Sequence, residues 1–450
     1  KQNRLETEKI PKLIKEFSIP AIMGSLIYIL YNIVDRIFIS FGVGRLAIAG
    51  ISIALPLFTF ILASGLFIGV GGGALISLNL GRKDYKKAEK ILGNSISLVI
   101  ILGVLFSIIG IVFLDDILIL FGATVNNISY AKDYMRIIFL ATTFQLFFIG
   151  LNNIMRSAGN PKGAMMMNVI GCGLNIILDP LFIFVFKMGI KGAAIATVIS
   201  NIVATILIIR YFLSSDSIIK FHFKNLKIEK SILIGISSIG IAPFIMQMSN
   251  SVVVIFVNNN LNIYGGDIAI AAYGIMNSIA VLLYMPIVGI YQGTQPILGF
   301  NYGAKRYDRV YETFKMSLMI VTGISIIGFI LINFFPKMLI RPFINNDPEL
   351  FDLTLHSMKI FYSMILILGF NVIGSSYFQA VGRAKITTAL NIIKQGGLML
   401  PLLYILPKFF GTNGVWYALP TADFILAILT SYFVIKEFKI LKKKSLKSVN

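Results

Sequence analysis

The feature that most constrains this chain is a series of apolar stretches, each about 20 residues or longer, that recurs from one end to the other. Ile91 to Leu114 and Leu318 to Pro336 are two examples. A helix of that length crosses a hydrocarbon core of roughly 30 Å. Of the 450 residues, 57% are hydrophobic and 13% are charged, which is more apolar surface than one soluble core uses. We therefore predict an all-α integral membrane protein.

We count twelve predicted transmembrane helices. They lie near residues 13–41, 46–78, 91–114, 131–155, 164–186, 191–213, 232–260, 268–299, 314–335, 352–380, 386–407 and 414–435.

The net charge of +20 follows this predicted topology. Of the 40 Lys and Arg residues, 29 lie in the termini and in alternate connections, whereas about six lie in the opposite connections. An excess of Lys and Arg marks the cytoplasmic side of a membrane protein. We therefore expect a multi-pass protein of the inner (cytoplasmic) membrane, with both termini in the cytoplasm. The charge excess is explained by topology and lipid contact, so we expect no nucleic acid partner.

Comparison of the chain with itself at an offset of about 222 residues reveals an internal repeat. Identical residues recur at offsets of 222 or 223: Asn79 and Asn301, Gly81 and Gly303, Lys83 and Lys305, Pro20 and Pro243, Gly159 and Gly382, Asn168 and Asn391, Gly189 and Gly411.

Each half thus has six helices, and the halves run parallel around an axis along the membrane normal. We predict two pseudo-symmetric six-helix bundles: residues 1–213, a cytoplasmic linker at 214–230, residues 231–435, and a basic cytoplasmic tail at 436–450. This arrangement places a cavity between the halves that opens to one side at a time, as transport requires.

Two carboxylates lie inside predicted spans, Asp35 in the first and Asp179 in the fifth. A carboxylate at membrane depth costs at least a few kcal/mol, so it is expected to face a cavity and to have a partner. Asn175 lies four residues before Asp179, on the same helix face. Pro180 favours a kink and frees a backbone carbonyl, which suits a hard cation. The open alternatives are a structural ion pair and a position near the membrane interface.

The sequence resembles the multidrug and toxic compound extrusion transporters, in particular their bacterial branch with DinF-like and MepA-like members. The resemblance depends on Pro20 and Asp35, on Asn79-Leu80-Gly81, on Arg156 to Lys162, and on the motif Gln-Pro-x-x-Gly-x-Asn-x-Gly from Gln295 to Gly303. It covers nearly the whole chain.

The resemblance implies a cation or proton site in the first half, which would be sodium in a sodium-coupled transporter. Its matching residues are Asp35, Asn175, Asp179, Thr197 and Asn152. Asp35, Asn175, Asp179 and Thr197 would be the sodium ligands.

Other branches place acidic residues in the seventh and tenth spans, where this chain has neutral polar side chains such as Gln247 and Asn250. We therefore expect coupling in the first half only, with Asp423 as the one acidic candidate in the second half. Coupling to Na+ and coupling to H+ both remain open, because carboxylate, amide and hydroxyl oxygens suit sodium and two close carboxylates suit a proton.

A second group of residues forms the predicted substrate cavity, although helix packing is the common role of such side chains. These candidates are Tyr28, Tyr31, Asn32, Met155, Asn168, Gln247, Asn250, Tyr284 and Gln292.

We therefore predict a secondary active transporter that exports amphipathic, often cationic, small molecules in antiport with Na+ or H+. The sequence contains no P-loop, no H-E-x-x-H and no G-x-S-x-G, so an enzyme is not expected, nor is a cofactor beyond the coupling ion. We expect a monomer. The alternative is a flippase for lipid-linked sugars, which would need buried Arg or Lys for pyrophosphate. Arg36 is the only basic residue deep in the early spans.

Overall fold

A computed structural model describes residues 3–125, 127–344 and 347–449. These residues form helices and short connections, with no strand among them. The first two residues of the predicted N-terminal bundle, the last residue of the predicted tail, and residues 126, 345 and 346 lie outside the described part of the chain.

The first half contains six spans, two of which are interrupted. They are Ile10–Gly42, Arg45–Gly81, Tyr85–Val112, the pair Ile128–Leu140 and Thr142–Ser157, Pro161–Pro180 with its π-helical extension Leu181–Val185, and Gly189–Leu213. The two helices of the fourth span meet at 60°. The fifth span becomes π-helical directly after Pro180, where the ring removes a backbone donor.

The second half repeats this arrangement. Its spans are Lys230–Gly303, Tyr307–Phe334, the pair Pro348–Phe361 and Ile365–Ala380, the sequence Ala384–Ile392, Ile393–Met399 and Leu400–Phe410, and Thr412–Val449. Lys230–Gly303 has 74 residues and contains two spans, because Gly266 (φ 65°) interrupts the helical backbone. The tenth span is bent by 49°. Shorter helices are Asn3–Thr7, Leu114–Leu120, Phe223–Leu226, Pro336–Ile340 and Arg341–Phe343.

The described residues contain the twelve predicted spans. Nine helices are long and apolar enough to cross a membrane, two bent pairs qualify as further spans, and the 74-residue helix counts twice. The prediction of an all-α membrane protein with twelve transmembrane helices is confirmed.

The third span packs against protein on one face and exposes apolar side chains on the other. Gly103 and Gly110 lie against Thr143 and Phe139 of the fourth span, and a Cβ at either glycine would collide with those side chains. The other face exposes large apolar side chains, among them Ile100, Ile101, Val104, Leu105 and Ile108. Small residues allow close helix approach inside a membrane, whereas an exposed apolar face of this extent suits contact with lipid.

The internal repeat extends to the backbone conformation. Lys83 and Lys305 follow the second and eighth spans with φ of 61° and 60°. Such left-handed backbone is uncommon for a residue with a side chain. The pairs Gly159 and Gly382 (97° and 81°) and Gly189 and Gly411 (59° and 55°) also share it. Matched turns of this kind indicate that both halves derive from one structural template.

The chain divides into two compact units, residues 1–5 with 23–244, and residues 6–22 with 245–450. The repeated prolines Pro20 and Pro243 each lie within three residues of a division, inside the first and seventh spans. The predicted domain bounds follow span ends, so they differ from these units and stay a prediction.

The predicted linker at 214–230 is packed on the third span, within the first unit. Asn94 Nδ2 donates to the carbonyls of Asn225 (3.3 Å) and Lys227 (3.2 Å), and the Glu229 N–H donates to Asn94 Oδ1 (2.7 Å). One buried amide thus satisfies three backbone groups of the linker.

The predicted basic tail is a helical continuation of the twelfth span as far as residue 449. Its Glu437 carboxylate is buried, pairs with Arg383 (2.6 Å) and accepts a hydrogen bond from the Tyr377 hydroxyl (3.1 Å). Burial lowers the pKa of Arg383, but the Glu437 carboxylate, Tyr302 and Tyr377 together raise it, so the pKa lies above its ordinary value. The start of the tail therefore belongs structurally to the second unit.

Candidate functional site

The structure brings the two predicted intramembrane carboxylates together. Asp35, on the first span, and Asp179, at the end of the regular part of the fifth, are both buried and lie in hydrogen-bonding contact. Two carboxylates at this separation do not both carry a charge unless a cation lies with them, because their repulsion is large in a poorly solvated site. An arrangement of this kind can hold one positive charge, either a proton or a metal cation.

Asn175 and Thr197 extend the site. With its nitrogen directed at Asp179, the Asn175 amide donates to Oδ2 (2.7 Å) and accepts from the hydroxyl (3.2 Å) and N–H (3.1 Å) of Thr197. The spacing of Asn175 and Asp179 on one helix face makes this contact possible. Oδ1 of Asp35 and Oδ1 of Asp179 receive no N–H or O–H donor among the described residues.

Tyr134 belongs to this site and was not identified from the sequence. It lies buried on Ile128–Leu140, and its hydroxyl and that of Tyr31 lie near Thr197. The chain has 18 tyrosines, and the resemblance assigns none to the cation site. The sequence therefore contains no signal that would single out Tyr134.

A small cavity of about 40 Å³ lies beside the carboxylates in the first unit. One water needs roughly 10–15 Å³ by this measure, so the cavity has room for about three waters, whereas drug-sized ligands occupy about 300–1,000 Å³. It is suited to solvating a small cation. Its polar and aromatic lining comprises Tyr28, Tyr31, Gln145, Phe148, Asn175, Thr197, Ser200 and Asn201, together with Cys172. Gln145 and Ser200 were not predicted.

Asn152, the fifth residue of the predicted cation site, has other partners in this structure. Its amide donates to the Ala164 carbonyl (2.8 Å) and to Asn168 Oδ1 (3.1 Å). Asn168 lies eleven residues before Asp179 on the fifth span, a separation of about 16 Å along a helix. Asn152 therefore joins the fourth span to the fifth at a different level and is not brought to the carboxylates.

The predicted cavity residues of the first half have different placements. Tyr28 and Tyr31 line the small cavity. Asn32 donates to the Tyr28 carbonyl of its own helix (2.6 Å), and Met155 is buried. Asn168 accepts from Asn152, as described above.

The predicted cavity residues of the second half all lie on the long helical segment Lys230–Gly303. Gln247, Tyr284 and Gln292 are half-buried and Asn250 is exposed.

The second unit contains an ion pair that the sequence did not reveal. Lys394 Nζ lies 2.7 Å from Asp423 Oδ1, and the two side chains are 21% and 5% exposed. Asp423 was a candidate in the sequence, whereas Lys394, between Ile393 and Gln395 in the eleventh span, was not identified. A flippase would need unpaired basic groups at depth, and the charge of Lys394 is balanced by Asp423.

Comparisons with known proteins agree over almost the entire chain. A family model described as MatE matches residues 20–181 and 239–405. The multidrug export protein MepA of Staphylococcus haemolyticus (strain JCSC1435) is 32% identical over 429 residues, which are 95% of this chain and 94% of that protein.

Two solved structures illustrate the structural similarity. The MATE multidrug transporter DinF-BH is 37% identical with a TM-score of 0.89, and the alignment covers 96% of each chain. A structure of MATE in the bent conformation has a TM-score of 0.93 at 25% identity and covers 99% of each chain.

Proposed function

This chain belongs to the MatE family, and on that premise we propose that it is a secondary active multidrug efflux transporter, which exports amphipathic, often cationic, small molecules in exchange for a monovalent cation. The family match, the relatives that are multidrug export proteins and the two six-helix bundles support this proposal. Its partners are the drug, the coupling cation and the lipid bilayer. It is a transporter and not an enzyme. We further propose that it works as a monomer in the cytoplasmic membrane, with both termini in the cytoplasm.

The contact between Asp35 and Asp179 is the observation on which the coupling proposal rests. We infer that the two carboxylates share one proton in this arrangement, because two adjacent ionised carboxylates would repel each other and neither Oδ1 receives a protein donor. The same oxygens, with those of Thr197 and Asn175, form the all-oxygen donor set that a sodium ion prefers. Sodium would have to separate the carboxylates, because an ion between them takes more room than a proton.

Drug export is coupled to cation entry if the drug and the cation favour different forms of the first half. If the proton or sodium ion stabilises a form of the first half that binds a cationic drug poorly, then the drug must weaken cation binding to the same extent. Entry of the cation from outside then releases the drug, and loss of the cation to the cytoplasm restores the drug-binding form. Tyr31 and Thr197 both line the small cavity, so the cavity adjoins the proposed cation site.

The test is transport in vesicles that contain the purified full chain, with sodium and proton gradients imposed in turn. We expect one or both gradients to drive export of a cationic fluorescent dye, and Asp35→Asn to abolish that dependence. The matched control is the double variant Lys394→Met/Asp423→Asn, which removes the ion pair of the second unit without a change in net charge. The proposal fails if ion dependence survives loss of Asp35 but disappears in the control.

A further inference from the structure

The second half has a fixed charge pair at the level where the first half has its polar cavity. At the repeat offsets of 222 and 223, Lys394 corresponds to Cys172 or Gly171, which both line the first-half cavity, and at 222 Asp423 corresponds to Asn201. Cys172 and Asn201 both line the first-half cavity. One structural template therefore carries neutral side chains at this level in the first half and an ion pair in the second.

The geometry of the pair is well defined within the second unit. Lys394 belongs to the π-helical segment Ile393–Met399, a type of local distortion that is frequent at functional sites. Its Nζ lies 2.7 Å from Asp423 Oδ1, on the twelfth span. The Asn371 amide donates to the Asp423 backbone carbonyl (3.0 Å), which positions this residue. Tyr284 is the other titratable group that interacts with both charges.

The carboxylates of the two halves obtain their countercharge in different ways. A buried carboxylate must either take up a cation or have one beside it, because an isolated charge at this depth is costly. In the first half, neither Asp35 nor Asp179 has a Lys or Arg ion pair among the described residues. In the second half, Asp423 has an ammonium group that is covalently part of the protein.

We propose that Lys394 is a tethered counter-cation that prevents Asp423 from binding a sodium ion or a proton, and so confines cation coupling to the first half. A soluble cation would have to displace a group that remains at high effective concentration. Lys394 is thus a specificity-determining residue for ion stoichiometry. The inference rests on the proposed function, because it assumes that the carboxylates of the first half bind the coupling ion.

A purely structural role for the pair makes a different prediction. If the ion pair only ties the eleventh span to the twelfth, removal of Lys394 lowers stability without creating a cation site. If Lys394 is a tethered counter-cation, its removal leaves Asp423 able to bind a free cation.

The experiment uses the full chain with Asp35→Asn and Asp179→Asn, so that the first-half site is neutral. Binding of radioactive sodium is measured at alkaline pH, and the infrared band of a protonated carboxyl group reports proton uptake. We expect no signal in this background, one saturable sodium or one protonated carboxyl per chain after Lys394→Met, and loss of that signal when Asp423→Asn is added. Lys408→Met, a control in the same span, should add nothing. A monodisperse Lys394→Met protein with neither signal would overturn the proposal.

A chemical rescue covers the case in which Lys394→Met does not fold. Lys394→Cys is prepared with Cys172→Ala, and a thiosulfonate reagent attaches ethylammonium to the new thiol after purification. We expect cation binding before modification and its loss afterwards, whereas a reagent that attaches a neutral methyl group should leave binding intact. Cation binding that is insensitive to the restored ammonium would overturn the proposal.

The two proposals fail separately. The first-half site fails if sodium and proton binding by the otherwise unaltered chain does not depend on Asp35 or Asp179. The tethered-cation proposal is measured in a chain that lacks both of these carboxylates, so its outcome depends only on Lys394 and Asp423.

Discussion

Asp179→Asn is the substitution that should separate folding from transport most clearly. The new amide has the shape of the carboxylate, so its oxygen still accepts from Asn175, where the present distance is 2.7 Å. Its nitrogen donates to Asp35 in place of the shared proton. Because the number of hydrogen bonds is conserved and one buried acidic group is removed, we expect the free energy of unfolding to change by less than about 1 kcal/mol.

Cation binding should change far more. A hydrogen bond to a charged group contributes about 1.5–3 kcal/mol, which corresponds to roughly 10- to 150-fold in affinity. Loss of one carboxylate from the pair should therefore weaken cation binding by at least that factor and abolish coupled export. Dye export by vesicles is the assay, with thermal melting and size-exclusion chromatography as checks of folding. Asp133→Asn, which alters only an exposed pair with Lys191 (3.3 Å), is the control. Undiminished export by a well-folded Asp179→Asn protein would refute the cation site.

Three further predictions concern orientation and packing. A cysteine that replaces Lys86, in a basic connection, should react only with reagent on the cytoplasmic side. A cysteine that replaces Val125, in an opposite connection, should react only with external reagent. Labelling of Lys86→Cys from outside intact cells would contradict the predicted orientation. Gly240→Ala should lower the free energy of unfolding by about 1–3 kcal/mol, because the added Cβ would meet the Phe67 carbonyl. Gly173→Ala should have no such effect, because the space around a Cβ there is open; equal melting temperatures of the two variants would contradict this packing. Asn94→Ala should release the linker and speed its proteolysis, since three backbone groups lose their partner; an unchanged cleavage rate would contradict the docking.

The fold was largely accessible from the sequence because it depends on features that are local and repeated. Apolar length determines the number of spans, and the repeat predicts that turns such as Lys83 and Lys305 share one conformation. The bend of the fourth span at 60° was not predicted. It occurs near Ala141, where neither Pro nor Gly interrupts the sequence, so it depends on tertiary packing.

The candidate site was accessible only in part. Asp35, Asp179 and Asn175 were identified because a polar group in an apolar span is conspicuous and a helical spacing of four places two of them on one face. Thr197 was identified only through the resemblance. Asn152 contacts Ala164 and Asn168 instead of the carboxylates, and its assignment to the cation site stays a prediction, because the resemblance gives residue types but not the level at which each side chain lies along a helix.

The two halves also show why a repeat predicts architecture better than chemistry. Backbone turns and close helix contacts tolerate few residues, so Gly192 and Gly414 both lie against the backbone of the preceding span. A cavity position tolerates any side chain whose charge is balanced. Equivalent positions of the two halves can therefore have neutral side chains in one half and an ion pair in the other. Asp179 has no acidic counterpart in the second half, and Asp423 has Lys394 where Asn201 has an open cavity. Charge balance is a property of pairs that are distant in sequence, so it becomes visible only once the helices are packed. The proposed functional asymmetry between the halves therefore depends on Lys394, a residue that no motif identifies.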